Sequence, residues 1–270
     1  MQYVEARGAR IPALGMGTWQ LKGTACRDAV TAALDLGYRH LDTAQAYENE
    51  ADVGAALAES GVARDDVFVT TKVWYEQARR DDLLQSVDAS LRRLKLDHVD
   101  LLLLHWPNAD VPLDETMAAL NTAVDRGLTR FVGVSNFPSG MLRNALELAP
   151  LVCDQVEYHP YLHQDEVATV CRARGMAMVA YSPIAQGRVF DDATLRAIGA
   201  PHGKSGGQVA LRWLIQQSGV VAIPRSSKRE HLKANLDIFD FELDAAEMRT
   251  LGHLGEGRRL IDPDWAPEWD

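Results

Sequence analysis

Apolar runs and amphipathic stretches alternate along the whole chain. Residues 11–19 read as a strand beside a turn region containing Pro12 and Gly15. Residues 25–36 repeat apolar positions at helical spacing and stop at Gly37, which tolerates the left-handed conformation that closes helices. The same alternation then recurs. Strands are expected at 38–42, 67–72, 99–106, 131–135, 153–158, 176–182 and 220–224. Helices are expected at 50–60, 80–94, 113–125, 138–148, 164–174, 207–217 and 228–235. The strands are apolar almost without a break, as in a parallel sheet covered on both faces. Eight strand–helix units in a chain of 270 residues predict an α/β fold, the (β/α)8 TIM barrel. The barrel is expected to form one domain over 1–270. Residues 1–10 are expected to cap its bottom, and a C-terminal helix and tail to follow from about residue 243.

The rival is an open doubly wound sheet, whose first turn usually reads G-x-G-x-x-G. Here the stretch reads Gly15-Met16-Gly17-Thr18-Trp19-Gln20, so the third glycine is missing. A second glycine-rich stretch, from Gly199 to Lys204-Ser205, is one residue too short for a phosphate loop and follows no strand. It is read as a connection between helices. His159 and His163 are four apart with Pro160 between them and no acidic partner in a set geometry, so no metal site is expected.

Composition narrows the partners. The formal net charge is −10 and aromatic residues are not interleaved with basic runs, which argues against nucleic acid. No apolar run is long enough to cross a membrane, and no basic stretch followed by an apolar core marks a secretory signal. Cys26, Cys153 and Cys171 are few and widely spaced, which suits reduced thiols in a cytoplasmic protein.

In a barrel, chemistry gathers at the carboxyl ends of the strands. Those ends carry Asp42, with Tyr47 in the following loop, Lys72, His105-Trp106, Ser135-Asn136, Gln155, Tyr181-Ser182 and Arg225-Ser226-Ser227. An acid at the end of a buried strand is costly unless a cation meets it, and Lys72 on the neighbouring strand is that cation. An ammonium close to Tyr47 is expected to lower the phenol pKa from about 10 towards neutrality. Such a tyrosine can give a proton to a developing alkoxide, and His105 can orient the oxygen. The set suits carbonyl reduction, and the hydride implies a nicotinamide cofactor. Each residue also has a plainer reading: a structural Lys–Asp pair, a packed histidine, an ordinary loop tyrosine, a helix cap at Ser135-Asn136. Their joint placement on one barrel face favours the chemical one.

The chain resembles the aldo-keto reductases over essentially its whole length. The matching pieces are Leu41-Asp42-Thr43-Ala44 with Tyr47-Glu48-Asn49-Glu50, Thr71-Lys72-Val73-Trp74, Leu104-His105-Trp106-Pro107, Gly133-Val134-Ser135-Asn136-Phe137, Gln155-Val156-Glu157-Tyr158-His159-Pro160, Tyr181-Ser182-Pro183 and Ile223-Pro224-Arg225-Ser226. The ending Ala266-Pro267-Glu268-Trp269-Asp270 is similar to the bacterial branch that reduces 2,5-diketo-D-gluconate and methylglyoxal.

The resemblance implies a tetrad of Asp42, Tyr47, Lys72 and His105, with Tyr47 as the acid. It implies NADP(H) as cofactor: Ser135, Asn136 and Gln155 on the carboxamide, Tyr181 stacked on the nicotinamide, and Ser182, Ile184, Gln186 and Gly187 along the pyrophosphate. Thr18, Trp19, Asp42 and Ile223 complete the cofactor groove. Arg225, Ser226 and Ser227 would hold the phosphate on the adenosine ribose, with His231 and Asn235 near the adenine. Trp19, Trp74 and Trp106, with Tyr47 and His105, would wall the pocket for a small carbonyl substrate, an α-dicarbonyl or keto-sugar. Many relatives have an arginine where this chain has His231, so some NAD(H) use is expected beside NADP(H). The family also implies a monomer. Two alternatives are a barrel lyase or isomerase, and a non-enzymatic barrel that binds NADP as a sensor.

Overall fold

The computed structural model describes residues 2–255 and 257–270. It opens with an antiparallel hairpin, β1 (Tyr3–Ala6) and β2 (Ala9–Pro12). Ala6, Ala9 and Ile11 pack with Phe68, Leu101 and Leu103 in one buried apolar cluster. The eight-stranded sheet that follows is parallel throughout. Its strands are β3 (Met16–Gly17), β4 (His40–Asp42), β5 (Phe68–Val73), β6 (Val99–Leu104), β7 (Thr129–Ser135), β8 (Cys153–Glu157), β9 (Ala177–Tyr181) and β10 (Val220–Ala222). Each pairs with its sequence neighbour, as short right-handed crossovers require. The ring closes through a parallel bridge from Leu14 to Ala222, with Gly15 N donating to Ala222 O at 2.9 Å. This is the (β/α)8 fold expected from the alternation.

Helices fill the outside: α1 (Gly23–Leu36), α2 (Glu50–Glu59), α3 (Arg80–Leu94), α4 (Leu113–Asp125), α5 (Ser139–Leu146), α6 (Asp165–Arg174), α7 (Ala193–His202), α8 (Gly206–Ile215), α9 (Arg229–Leu236) and α10 (Ala245–Leu251). The glycine stops of α1 and α6 behave as read: Gly37 and Gly175 adopt φ of 102° and 63°. None of the described helices is long and apolar enough to cross a membrane.

Two expectations change. The strand expected at 11–19 divides, with Ile11 in the hairpin and only Met16–Gly17 in the barrel. The stretch from Gly199 is not simply a connection, because Gly199 to His202 form the last turn of α7. Pro201 lacks the N–H that would bond the carbonyl four residues back, and the helix ends one residue later, at His202. Gly199 is small because Lys204 O lies 2.2 Å from where a Cβ would stand, and Gly203 closes α7 at φ 67°, so the two glycines serve packing and capping of the helix.

Candidate active site

The loop after β4 begins with a carboxylate and reaches Tyr47 through a short 3-10 turn, Gln45–Tyr47, closed by Glu48 at φ 54°. Two amides fix this loop. Asn49 Nδ2 donates to Thr18 O and Leu21 O at 2.8 and 2.9 Å, and Thr43 Oγ1 donates to Asn49 Oδ1 at 2.7 Å. Gln45 Nε2 donates to Ser86 and Ser90 on α3, while its oxygen accepts Trp74 N at 3.0 Å. Tyr47 is therefore held between the first strands rather than carried on a free loop.

Lys72 is fully buried on β5. Its Nζ donates to Asp42 Oδ1 at 2.5 Å and to Thr43 O at 3.0 Å, and lies 3.4 Å from Tyr47 Oη. Burial alone would discharge the ammonium, but Asp42 and Tyr47 outweigh it, and the Lys72 pKa is raised. The expected lowering of the Tyr47 pKa is corrected by the structure. Burial raises the phenol more than Lys72 lowers it, so Tyr47 keeps its proton at neutral pH. His105 is held well below the usual imidazole range, by burial first and by Lys72 second, and is neutral. Its ring stands edge-on to Tyr47 at 5.6 Å and Trp74 at 5.3 Å. Nδ1 is buried without a partner, which leaves Nε2 as the nitrogen a pocket ligand can meet.

A chain of polar contacts continues around the barrel. Gln155 Nε2 donates to Asp42 Oδ2 at 2.8 Å. Ser135 Oγ donates to Gln155 O at 2.7 Å. Asn136, at φ 63°, donates to His105 O and Ser135 Oγ and accepts Tyr181 Oη at 2.8 Å. Side chains from five strand ends, and the backbone carbonyl of His105 from a sixth, thus meet in one network that makes the centre rigid.

These groups open into one cavity of about 890 Å³. Of the residues singled out in the sequence, Thr18, Trp19, Asp42, Tyr47, Trp74, His105, Trp106, Asn136, Gln155, Tyr181, Ser182, Ile184, Gln186, Gly187, Ile223 and Arg225 line it. Lys72 and Ser135 lie buried just behind the wall. Ser226, Ser227, His231 and Asn235 lie outside the lining, on the approach to α9 and along it. Arg225 Nε donates to Trp19 O and Nη2 to Gln20 Oε1, both at 3.1 Å. The loop after β9 carries three non-glycine residues at positive φ, Ser182, Ala185 and Gln186, followed by Gly187. Strain gathered at a cavity wall is a mark of function.

Sequence reasoning missed part of the wall. Gln20 and the segment Leu260, Ile261, Asp262, Pro263 and Trp265 also line the cavity. Trp265 stacks on Tyr75 at 4.6 Å and meets the edges of Trp74 and Trp106. The tail's aromatic residues and its family-like ending were its sequence signals, and nothing in their spacing says where they dock.

The cavity has the parts that a nicotinamide dinucleotide needs. It carries a flat ring at Tyr181 beside amides at Asn136 and Gln155, and its lining includes the Arg225 guanidinium, bonded through Nε and Nη2. The family model described as Aldo/keto reductase family matches residues 13–256. Methylglyoxal reductase DkgB of Escherichia coli O157:H7 is 40% identical over 266 residues, covering 96% of this chain and 99% of that protein. Glyoxal reductase of Bacillus subtilis (strain 168) is 41% identical over 257 residues, covering 94% and 92%. A solved structure provisionally assigned as a 2,5-diketo-D-gluconic acid reductase B shares 47% identity at a TM-score of 0.98, covering 100% of this chain and 98% of the other. With the family model spanning most of its length and the carbonyl-reducing relatives aligned nearly end to end, this chain belongs to the aldo/keto reductase family of oxidoreductases.

Proposed function

We propose that this protein reduces small aldehydes and ketones with NADPH, that methylglyoxal and related α-dicarbonyls are among its substrates, and that Tyr47 is the proton donor. One observation carries the reading: Lys72 Nζ, buried behind the wall, lies against both Asp42 and Tyr47, and Tyr47 and His105 line the same cavity. NADPH, when bound, supplies the hydride. The chain's own residues do the rest. Neutral His105 is set to donate from Nε2 to the carbonyl oxygen and fix its position. Tyr47 is protonated and stands beside a permanent ammonium, so it can pass its proton as negative charge builds on that oxygen. Lys72 then stabilises the phenolate left behind, and Asp42 and Thr43 O keep the ammonium in place. Tryptophan and tyrosine walls limit water at the reacting carbon.

We assign the carboxamide to Asn136 and Gln155, which line the cavity with Ser135 buried behind them, and the nicotinamide ring to the face of Tyr181. Ser182, Ile184, Gln186 and Gly187 border the middle of the groove. Arg225, with Ser226 and Ser227 before the first turn of α9, is the group for the ribose phosphate, where a cation and a helix N-terminus act together. His231 is exposed and adds no permanent charge there, which supports some NADH use. Every group in this scheme comes from one chain, so a monomer suffices.

The test is loss of reduced-nicotinamide absorbance with methylglyoxal or 4-nitrobenzaldehyde, run with NADPH and with NADH. Turnover with NADPH, and a lower kcat/KM with NADH, is expected. No turnover despite tight NADPH binding would favour a sensor role.

A further inference from the structure

Asn49 stands at the N-cap position of α2, where an asparagine ordinarily bonds the free N–H groups of its own helix. Here its side chain makes no such bond. It is fully buried and directs all three of its hydrogen bonds to the loops after β3 and β4. Thr18 O and Leu21 O can only accept, so they fix which way the amide faces. Together they clasp both ends of the turn from Thr18 to Leu21, which Leu21 N also closes by donating to Thr18 O at 3.0 Å. The turn holds Gln20 at φ 62°, a conformation that a residue with a side chain keeps only where its surroundings impose it. Trp19 O and Gln20 Oε1 of this turn accept Arg225, the cation assigned above to the ribose phosphate. On the other side, Asn49 Oδ1 accepts Thr43 Oγ1, and Thr43 O accepts Lys72 Nζ. One amide thus joins the ammonium beside Tyr47 to the turn that aims Arg225.

Gln45 precedes Tyr47 by two residues, as Asn49 follows it by two, and it bonds in another direction. Trp74 N can only donate, so Oε1 is the atom that meets it, at 3.0 Å. Nε2 then donates to Ser86 Oγ and Ser90 Oγ of α3 at 3.1 and 3.0 Å, which anchors the amide. The Trp74 indole lines the cavity and stands edge-on to His105 at 5.3 Å. Neither amide lines the cavity itself, so each acts on it only through what it holds.

We infer that Asn49 and Gln45 are positioning residues that set Tyr47 against the two halves of its site separately: Asn49 against the cofactor side, through the turn 18–21, and Gln45 against the substrate side, through Trp74. The inference rests on the reading of Tyr47 as the proton donor and Arg225 as the phosphate cation. Loss of either amide releases the Tyr47 turn, so both losses lower kcat. They differ in what else they move: cofactor affinity for Asn49, substrate KM for Gln45.

The experiment measures kcat and KM for 4-nitrobenzaldehyde at saturating NADPH, and the dissociation constants of NADPH and NADH by calorimetric titration without aldehyde. Asn49→Ala is expected to lower kcat about tenfold, to weaken NADPH about fivefold and to leave KM within about twofold. NADH, which lacks the ribose phosphate, should weaken less. Thr43→Val is nearly isosteric, removes only the hydroxyl that meets Asn49 Oδ1, and should move the same quantities in the same direction but less far; it decides the matter if Asn49→Ala does not fold. Gln45→Leu keeps the size of the side chain and is expected to lower kcat about tenfold and raise KM about fivefold, with both dissociation constants within about twofold of the parent. Gln45→Glu keeps an oxygen for Trp74 N and should bring KM back towards the parent value. If the Asn49 and Gln45 variants shift KM and cofactor affinity alike, or if kcat stays at the parent value in both, the inference is overturned. Unchanged NADPH binding in Asn49→Ala and Thr43→Val would overturn its cofactor half whatever the turnover. Failure of the parent enzyme to reduce the aldehyde would instead count against the reading of Tyr47.

Discussion

The end of β4 and the middle of β8 each bury an aspartate completely, and the two are treated in opposite ways. Asp42 accepts Lys72 and Gln155 and so fixes the ammonium beside Tyr47. Asp154 points away from the active-site network, and neither of its oxygens has a hydrogen-bond partner. Burial drives its pKa well above the ordinary aspartate value of 3.8; the nearby Phe137 N–H pulls the other way without closing a bond, and Asp270 adds to the rise. One carboxyl is paired with a cation, the other is held neutral and has no hydrogen-bond partner. Burial does not by itself mark a functional acid, whereas a partner that needs the charge does.

The comparison can be broken at its strongest point first. Lys72→Met should leave Asp42 as an unpaired buried charge. Turnover is expected to fall about a thousandfold or more, and stability by about 3 to 5 kcal/mol, read by denaturant unfolding. Removing the other partner is milder. Asp42→Asn should lower kcat by about 10- to 100-fold, because the ammonium loses its anchor but Tyr47 remains. The sign on pH is fixed: Asp42 raises the Lys72 pKa, so without it burial wins and the alkaline loss of activity moves to lower pH. A pH–rate profile with an unmoved alkaline limb would show that Lys72 is held charged by something else.

Asp154 gives the smallest effect, and of opposite sign. Its folded-state pKa is raised, so its contribution to stability is full below about pH 3.8 and is lost as pH rises through the folded-state value. Between those limits the loss is about 1.4 kcal/mol per pH unit. Asp154→Asn removes the titration and keeps the shape. It should be more stable than the parent at neutral pH by about 1 to 3 kcal/mol, with the gain vanishing below about pH 3.8 and kcat unchanged. Equal stability at neutral pH would mean that Asp154 ionises freely where it stands.

The two acids also differ in how much the sequence shows of them. Asp42 stands where an apolar strand stops, and the barrel rule sends every strand end to one face, so Asp42, Lys72 and His105 could be gathered before any coordinates. Tyr47 followed because its loop is short. Asp154 lies inside the apolar run of β8, and only the sheet's inside–outside alternation puts it under α5 and α6. The fold was legible because each strand–helix unit repeats the same apolar period. The α7 segment was not, since Pro201 and two close glycines hide the helical pattern. The tail was silent for a different reason. Its place is set by bonds to Glu157 and Ser139, more than 100 residues away in sequence, and no local period encodes them. The direction of the Tyr47 shift was also beyond the sequence, because it depends on how deeply the phenol is buried as much as on the ammonium beside it.

The central claim is that Tyr47 delivers the proton from beside a charged Lys72. Its most direct test is kcat of Tyr47→Phe with 4-nitrobenzaldehyde, measured together with NADPH affinity by fluorescence titration. The account predicts a loss of about a thousandfold in kcat, with the NADPH dissociation constant within about twofold of the parent. Turnover within tenfold of the parent, at unchanged NADPH affinity, would contradict it and move the acid to another group.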